Sequence, residues 1–251
     1  MSASPVEVPP VSVIVPAYNE AARLEDSLPR LLGDRFLAPG DCSELIVVDD
    51  GSVDGTAQVA ERHLRGIANA RVMRLPWHAG KGAAVRLGMA GARGETILFM
   101  DADLATELSL AAELLCALTD ADVVVGSRTA PGAVVHGRSR LRHGMHHAFR
   151  QHARRLTGIE VSDPQCGFKA FRADAGKVLF HLCRIDGFGF DVEILLLAAK
   201  LGYTIKEIPV KWTAIDGSKV RMLRDPMTMA LDIARARLRH ARRPHPDPIR
   251  R

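Results

Sequence analysis

The stretch Val11-Ser12-Val13-Ile14-Val15-Pro16-Ala17-Tyr18-Asn19-Glu20 runs from an apolar, β-branched segment straight into a polar turn, and a helical pattern follows from Ala21 to Leu32. The same succession recurs down the chain. Leu45 to Val48 precedes a helical pattern over Thr56 to Leu64, Val72 to Leu75 precedes one over Ala83 to Ala92, and Ile97 to Met100 precedes one over Leu108 to Leu118. A further strand is expected at Val123 to Val125. Past a looser basic stretch come a helix over Val192 to Leu201 and a strand near Ile205 to Val210. This alternation predicts an α/β fold, a mostly parallel Rossmann-like sheet with helices on both faces. Ligands of open α/β sheets bind at the carboxyl ends of the strands, and the unusual polar motifs of this chain fall there.

At Pro16 to Glu20, backbone groups and a helix N-terminus suit a nucleotide. Taken alone, a structural turn capped by Asn19 is the better account of that motif. The second motif, Val47-Val48-Asp49-Asp50-Gly51-Ser52-Val53-Asp54-Gly55-Thr56, offers the carboxylates of Asp49 and Asp50 to a base or ribose, with glycines that permit close backbone approach. It also nearly matches a calcium loop through Asp50, Ser52, Asp54, Gly55 and Glu61, but such a loop follows a helix, whereas Glu44 to Val48 reads as a strand. In the third, His78-Ala79-Gly80-Lys81-Gly82-Ala83-Ala84, Lys81 lies between glycines and can reach a diphosphate as a helix begins. It is no P-loop, because Leu75 stands where the first glycine belongs and Gly82 where Ser or Thr belongs.

The fourth motif, Phe99-Met100-Asp101-Ala102-Asp103, closes an apolar strand with two carboxylates one residue apart. Such a pair suits one hard divalent cation, Mg2+ or Mn2+, while substrate phosphates supply further oxygens. A lone Asp-x-Asp is a solvated strand end by default; behind two other nucleotide-like turns it reads as the metal-binding part of a donor site. Gly126-Ser127-Arg128 ends the next strand. Farther on, Asp163-Pro164-Gln165-Cys166-Gly167-Phe168-Lys169, Phe190-Asp191-Val192-Glu193 and Gly217-Ser218-Lys219 set polar groups among aromatics and glycine, as in a sugar or acceptor pocket. For each alone a structural turn is an equal competitor. His143, His146 and His147 have a spacing compatible with metal ligation but no accompanying carboxylate or Cys, and they read as a basic helix face.

With 251 residues, 47% of them hydrophobic and 25% charged, the chain can bury the core of one large domain with a C-terminal extension. It contains no apolar run of roughly 18 residues, and residues 1–10 lack the pattern of a secretory signal, so a cytoplasmic location is expected. Cys42, Cys116, Cys166 and Cys183 form no C-x-x-C pair and fit reduced thiols. The net charge of +5 is unevenly placed: six arginines and no acid lie between Arg138 and Arg155, and ten Lys or Arg lie from Lys219 onward. These segments suit phosphates or anionic lipid heads, and the lack of interleaved aromatics argues against nucleic acid. From Pro226, residues Met227, Leu231, Ala234 and Leu238 recur at helical spacing among arginines, predicting a basic amphipathic helix able to lie on an anionic membrane surface. The expected organisation is a flexible segment 1–10, a domain 11–225 with a nucleotide-sugar half (11–128) and an acceptor half (129–225), the helix 226–243 and a disordered tail 244–251.

Taken in order, PAYNE, VVDDGSVDGT, HAGKGAA, FMDAD, GSR, DPQCGFKAF, FDVE and GSK resemble glycosyltransferase family 2, which has the GT-A fold; the second half is similar to dolichyl-phosphate glucosyltransferases and their polyprenyl-phosphate relatives. The resemblance covers nearly the whole chain from Val11 and is more specific than any one motif. It implies that Pro16, Ala17, Tyr18, Glu20 and Asp50 hold the nucleoside, with Asp49, Lys81 and Ala102 beside the nucleotide-sugar, and that Asp101 and Asp103 hold the metal. It implies inverting transfer of a hexose, glucose in this group, from a UDP-sugar (GDP being the alternative) to a polyprenyl or dolichyl phosphate. Arg128, Arg138, Arg142, Lys169 and Lys219 then meet phosphates, and Asp163, Gln165 and Asp191 position the sugar or acceptor. A saccharide or small-molecule hydroxyl acceptor is the alternative; it requires a carboxylate base, for which Asp163 and Asp191 are the candidates. Many relatives carry transmembrane helices and this sequence shows none, so peripheral contact with the inner face of a membrane is expected. Oligomeric state, a homo-oligomer included, is left open.

Overall fold

The computed structural model describes residues 11–33, 43–137, 158–215 and 224–241, with 144, 151 and 155 as single positions; within 224–241 the side chains are described from Thr228. The chain forms β1 (Val11–Ala17), α1 (Ala21–Leu32), β2 (Glu44–Asp49), α2 (Thr56–Leu64), β3 (Ala70–Arg74), α3 (Lys81–Gly91) and β4 (Thr96–Met100). A short 3-10 turn leads into α4 (Ala111–Ala117), followed by β5 (Val123–Ser127), β6 (Val134–His136), β7 (Phe168–Arg172) and α5 (Ala173–Leu182). The chain continues through α6 (Phe190–Lys200), β8 (Ile205–Pro209), β9 (Lys211–Thr213) and α7 (Arg224–Ala241). Seven strands make one sheet in the order β3-β2-β1-β4-β7-β5-β8. All neighbours run parallel except β7, which is antiparallel to β4 and β5. β6 and β9 form a separate parallel pair.

Alternation along each strand sends neighbouring side chains to opposite faces. Val13 and Val15 join Leu24, Leu28, Ala60 and Leu114 on the face covered by α1, α2 and α4. Ile14 joins Ala84, Val85, Leu179, Phe180 and Phe190 on the face covered by α3, α5 and α6. The central strands read as unbroken apolar runs because both faces are buried. The mostly parallel sheet with helices on both faces is therefore present, as the strand and helix alternation requires.

Four elements, β7, α5, β6 and β9, lay outside that expectation. β7 contains a fully buried lysine, Lys169, which breaks the apolar pattern of a central strand. α5 follows it without an intervening loop, and β6 and β9 are only three residues each. α7 packs on α6, but the side it turns inward is Met229, Ile233, Ala236 and His240. Of the apolar stripe expected on it, Leu231 and Leu238 face away, at 56% and 65% exposure, and the side chain of Met227 lies outside the described residues. The inward stripe includes a histidine because buried Glu193 needs a partner, and His240 Nε2 lies 2.8 Å from its Oε1.

At the amino-terminal end of the sheet, Glu44 is fully buried on β2. It accepts hydrogen bonds from the Ser12 hydroxyl (2.5 Å), the Arg93 backbone N–H (2.6 Å) and the Arg71 guanidinium. Burial disfavours its charge, but these donors outweigh burial and hold its carboxyl below the usual glutamate value. A carboxyl lowered in this way contributes stability in full above its unfolded value and loses it as pH falls through the lower folded value. Glu44→Ala should cost about 3 kcal/mol at pH 7, because it strands a buried donor set. Urea unfolding should show the gap to wild type narrowing below the ordinary carboxylate range; a gap independent of pH would contradict this account.

Candidate active site

Because β1, β2, β4 and β5 run parallel, their carboxyl ends share one edge of the sheet. The antiparallel direction of β7 brings its first residue, Phe168, opposite Met100 on that same edge. The turn before it, carrying Asp163, Gln165 and Gly167, therefore joins the strand-end motifs from the other direction.

The first two turns are stitched together by local hydrogen bonds. The Asn19 and Glu20 backbone N–H groups donate to the hydroxyls of Ser52 and Thr56, each at 2.9 Å, and the Val53 N–H donates to Asn19 Oδ1 at 3.0 Å. Asn19 adopts a left-handed backbone (φ 51°) and does not cap α1, whose first position follows Glu20. Glu20 pairs with Arg23 at 2.5 Å. Asp54 accepts from the N–H groups of Ala21 and Thr56, and β2 precedes the turn, so the calcium-loop spacing is met by a strand end.

Asp49 and Asp50 are both buried. Asp49 accepts from the Ser52 N–H at 3.1 Å, and Arg74 Nε stands 3.0 Å from its other oxygen. Asp50 accepts from the N–H groups of Ala79 (2.8 Å) and Gly80 (2.9 Å), and His78 Nδ1 lies 2.8 Å from its Oδ2. The His78 ring, half exposed, stacks on Tyr18 with centroids 3.6 Å apart and 13° between planes. Pro16 and Ala17 continue β1 beneath this assembly, and the Ala17 carbonyl accepts from the Asp50 N–H at 2.9 Å.

At the end of β4, the Asp101 N–H donates to the Gly167 carbonyl at 3.0 Å. The Asp101 carboxylate lies so close to Gly167 that a Cβ there would stand 2.0 Å from Oδ2. Lys81, on the first turn of α3, places Nζ 2.5 Å from Asp101 Oδ1. Burial works against the lysine's charge, yet Asp101, Asp191 and Asp103 together raise its pKa. Asp103 accepts from the Ala105 N–H at 3.0 Å, and burial, then the neighbouring charge of Asp101, push its carboxyl up. Ala102 between them is buried. Asp101 and Asp103 open onto a cleft with Leu104, Thr106, Arg128 and Trp212.

Behind the cleft two further acids are held in ion pairs. Asp163, at 0% exposure, takes the Arg128 guanidinium in a fork, Nε to Oδ2 at 2.6 Å and Nη2 to Oδ1 at 2.9 Å, and also accepts the Arg128 N–H. Burial opposes the Arg128 charge, but Asp163 raises its pKa further. Its guanidinium also lies over the Trp212 ring. Lys169 Nζ donates to Asp191 Oδ1 at 2.5 Å and to the Cys166 carbonyl at 2.7 Å. Burial pushes the Asp191 carboxyl up, against the pull of Lys169 and Lys81. Gln165 turns toward α7, its Nε2 3.9 Å from Met229 Sδ. Cys166 is buried, which pushes its thiol up to about 12, so it stays protonated at neutral pH. Arg138, Arg142 and Lys219 lie outside the described residues.

The model of the family described as glycosyl transferase family 2 matches residues 12–180. The chain belongs to that family. As a family 2 glycosyltransferase, it is similar over most of its length to proteins named dolichyl-phosphate beta-glucosyltransferase. The one from Dictyostelium discoideum is 36% identical over 254 residues, covering 94% of this chain and 76% of the relative. The one from Homo sapiens is 35% identical, covering 92% and 75%. Among solved structures, glucosyl-3-phosphoglycerate synthase from Mycobacterium tuberculosis in complex with Mn2+, UDP and glucosyl-3-phosphoglycerate superposes with a TM-score of 0.64 at 23% identity, covering 94% of this chain and 81% of that one. The same protein has been solved with Mg2+ and UDP, again at a TM-score of 0.64 and 23% identity, covering 94% and 80%. At these identities the structural likeness shows the fold.

Three residues of the glycosyltransferase site carry no role in the sequence reading. Gly167 is needed for its missing side chain, which only its contact with Asp101 reveals. His78 stood in a quoted motif, but its stacking on Tyr18 depends on two loops far apart in sequence. Trp212, one of two tryptophans, reaches the cleft through the small β6 and β9 pair. Gly167→Ala should lower transfer activity at least roughly tenfold by displacing Asp101, since one methyl at that distance cannot be absorbed without moving the carboxylate. The fold should persist by circular dichroism; a variant with full activity would contradict the contact.

Proposed function

We propose that this glycosyltransferase moves glucose from UDP-glucose to a polyprenyl phosphate of the dolichyl type, with inversion at the anomeric carbon. The observation that carries this reading is the pairing of both buried carboxylates behind the cleft, Asp163 with Arg128 and Asp191 with Lys169. A hydroxyl acceptor needs a free base, and neither acid is free. A phosphate acceptor is already an anion and needs orientation, for which Arg128 at the cleft wall is suited. The names of the relatives support the same acceptor and a β-linked product.

Asp101 and Asp103 would hold Mg2+ or Mn2+. The donor set fits: two carboxylates meet at the cleft, and among the described residues no group of three His, Cys, Asp or Glu side chains converges. Phosphate and water oxygens would complete the shell, as these hard cations prefer. Bound there, the ion would neutralise charge on the departing diphosphate. The turns of β1 and β2, with Tyr18, Asp50 and His78, would seat the nucleoside, and Lys81 would face the diphosphate. One acceptor phosphate oxygen forms the new bond to the anomeric carbon as the bond to the diphosphate breaks, and UDP leaves. Asp163 acts by holding Arg128, and Asp191 by holding Lys169.

Among the described residues no helix is long and apolar enough to cross a membrane. Access to a lipid acceptor would come through α7, whose outward residues Leu231 and Leu238 stand among Arg235, Arg237 and Arg239. Each basic residue near an anionic surface contributes about 1 kcal/mol, giving a peripheral, salt-sensitive seat on the inner face of the membrane.

A panel of UDP- and GDP-sugars against polyprenyl phosphate and hydroxyl acceptors, with Mn2+ or Mg2+, tests the reading. Transfer should be greatest from UDP-glucose to the polyprenyl phosphate, and Asp103→Ala should reduce it at least about a hundredfold. With the acceptor in anionic vesicles, the double variant Leu231→Asp, Leu238→Asp should lose most activity and recover it in detergent. Transfer to hydroxyl acceptors alone would overturn the proposal.

A further inference from the structure

Among the described residues, the charges around the cleft include three close pairs and one further acid. Arg128 takes Asp163, Lys169 takes Asp191 and Lys81 takes Asp101. Asp103 accepts from the Ala105 N–H and feels the charges of Asp101, Arg23 and Lys81 at longer range. The first two pairs lie at the back of the site. The third is at its mouth, because the Asp101 side chain is 40% exposed while that of Lys81 is 18% exposed. The oxygen Lys81 occupies belongs to one of the two carboxylates suited to a metal ion.

The backbone of Lys81 is fixed although its side chain is long. A Cβ on Gly80 would meet the Asp186 carbonyl oxygen at 2.5 Å, and one on Gly82 the Ile185 carbonyl oxygen at 2.5 Å. The Ala83 N–H donates to the same Asp186 carbonyl. The loop before α6 thus clamps the start of α3 on both sides of Lys81. What remains free is the four-carbon stem and its ammonium, a compact charge that can change partner without moving the backbone. The Phe99 ring, 5.7 Å from Nζ, gives the ammonium an apolar face to lie over.

We propose that Lys81 is a resident counter-ion, occupying Asp101 while the donor site is empty and passing to the diphosphate when metal and nucleotide enter. The inference rests on the metal and diphosphate reading above and adds a regulation to it: the free site resists a bare metal ion and accepts metal together with nucleotide. A divalent ion arriving alone must take Asp101 from Lys81 and remain beside a displaced cation, and like charges repel. When a diphosphate accompanies it, the ammonium has a new anionic partner. Lys81 therefore acts with opposite sign on the two ligands.

The test measures binding of Mn2+ alone to the full chain, by the paramagnetic resonance of the free ion, and binding of UDP at saturating Mn2+. Wild type, Lys81→Met, Lys81→Gln and Asp103→Asn are compared. Both Lys81 variants should bind Mn2+ alone at least about tenfold more tightly than wild type, while binding UDP at least about tenfold more weakly. Damage to the local structure would weaken both. If binding of Mn2+ that depends on Asp103 is unchanged or weaker in both Lys81 variants, the counter-ion role is overturned while the metal site stands. If no form binds Mn2+ in a way that Asp103→Asn abolishes, the metal-site reading falls and the counter-ion role with it.

Discussion

The contact between Gly167 and Asp101 constrains the rest of the site. β7 enters the sheet between β4 and β5 against their direction, so the backbone of Gly167 receives the Asp101 N–H while its missing side chain leaves room for the carboxylate. Two residues farther along, β7 itself carries Lys169 to Asp191 on α6. One turn before it, Asp163 reaches Arg128 at the end of β5. A purely parallel sheet would not bring these residues back to the edge where β1, β2 and β4 end.

Burial explains why the acids behind the cleft are held in ion pairs. A carboxylate removed from water is costly unless paired, and Asp163 and Asp191, at 0% and 4% exposure, each hold a cation. A fork from Arg128 fixes the guanidinium in two directions, with the Trp212 ring beneath it. Arg128 thereby becomes a rigid donor at the cleft wall, suited to an anionic acceptor. Asp101 and Asp103 face the opening, one paired with Lys81 and the other accepting from a backbone N–H.

The parallel half of the sheet was legible because β1, β2, β4 and β5 are buried on both faces and read as apolar runs ending in polar turns. β7 was not, since Lys169 interrupts its pattern and its partner Asp191 is remote in sequence. The motifs of the cleft were visible as residue types, so Asp101, Asp103, Lys81, Arg128 and Asp163 could be named before their geometry was known. Their pairing could not, because each ion pair joins different strands or helices. The inward face of α7 was also hidden: His240 looks polar to a periodicity argument, yet it is buried against Glu193.

In the proposed function, the strand-end carboxylates Asp101 and Asp103 seat a divalent ion against the diphosphate of the donor. Anomalous diffraction from crystals of the chain grown with Mn2+ and UDP locates the ion without reference to activity. A single strong peak is expected between the two carboxylates and the diphosphate, with Lys81 Nζ moved from Asp101 to the phosphate oxygens. A peak elsewhere, or a nucleotide bound away from the ends of β1, β2 and β4, would contradict the proposed function.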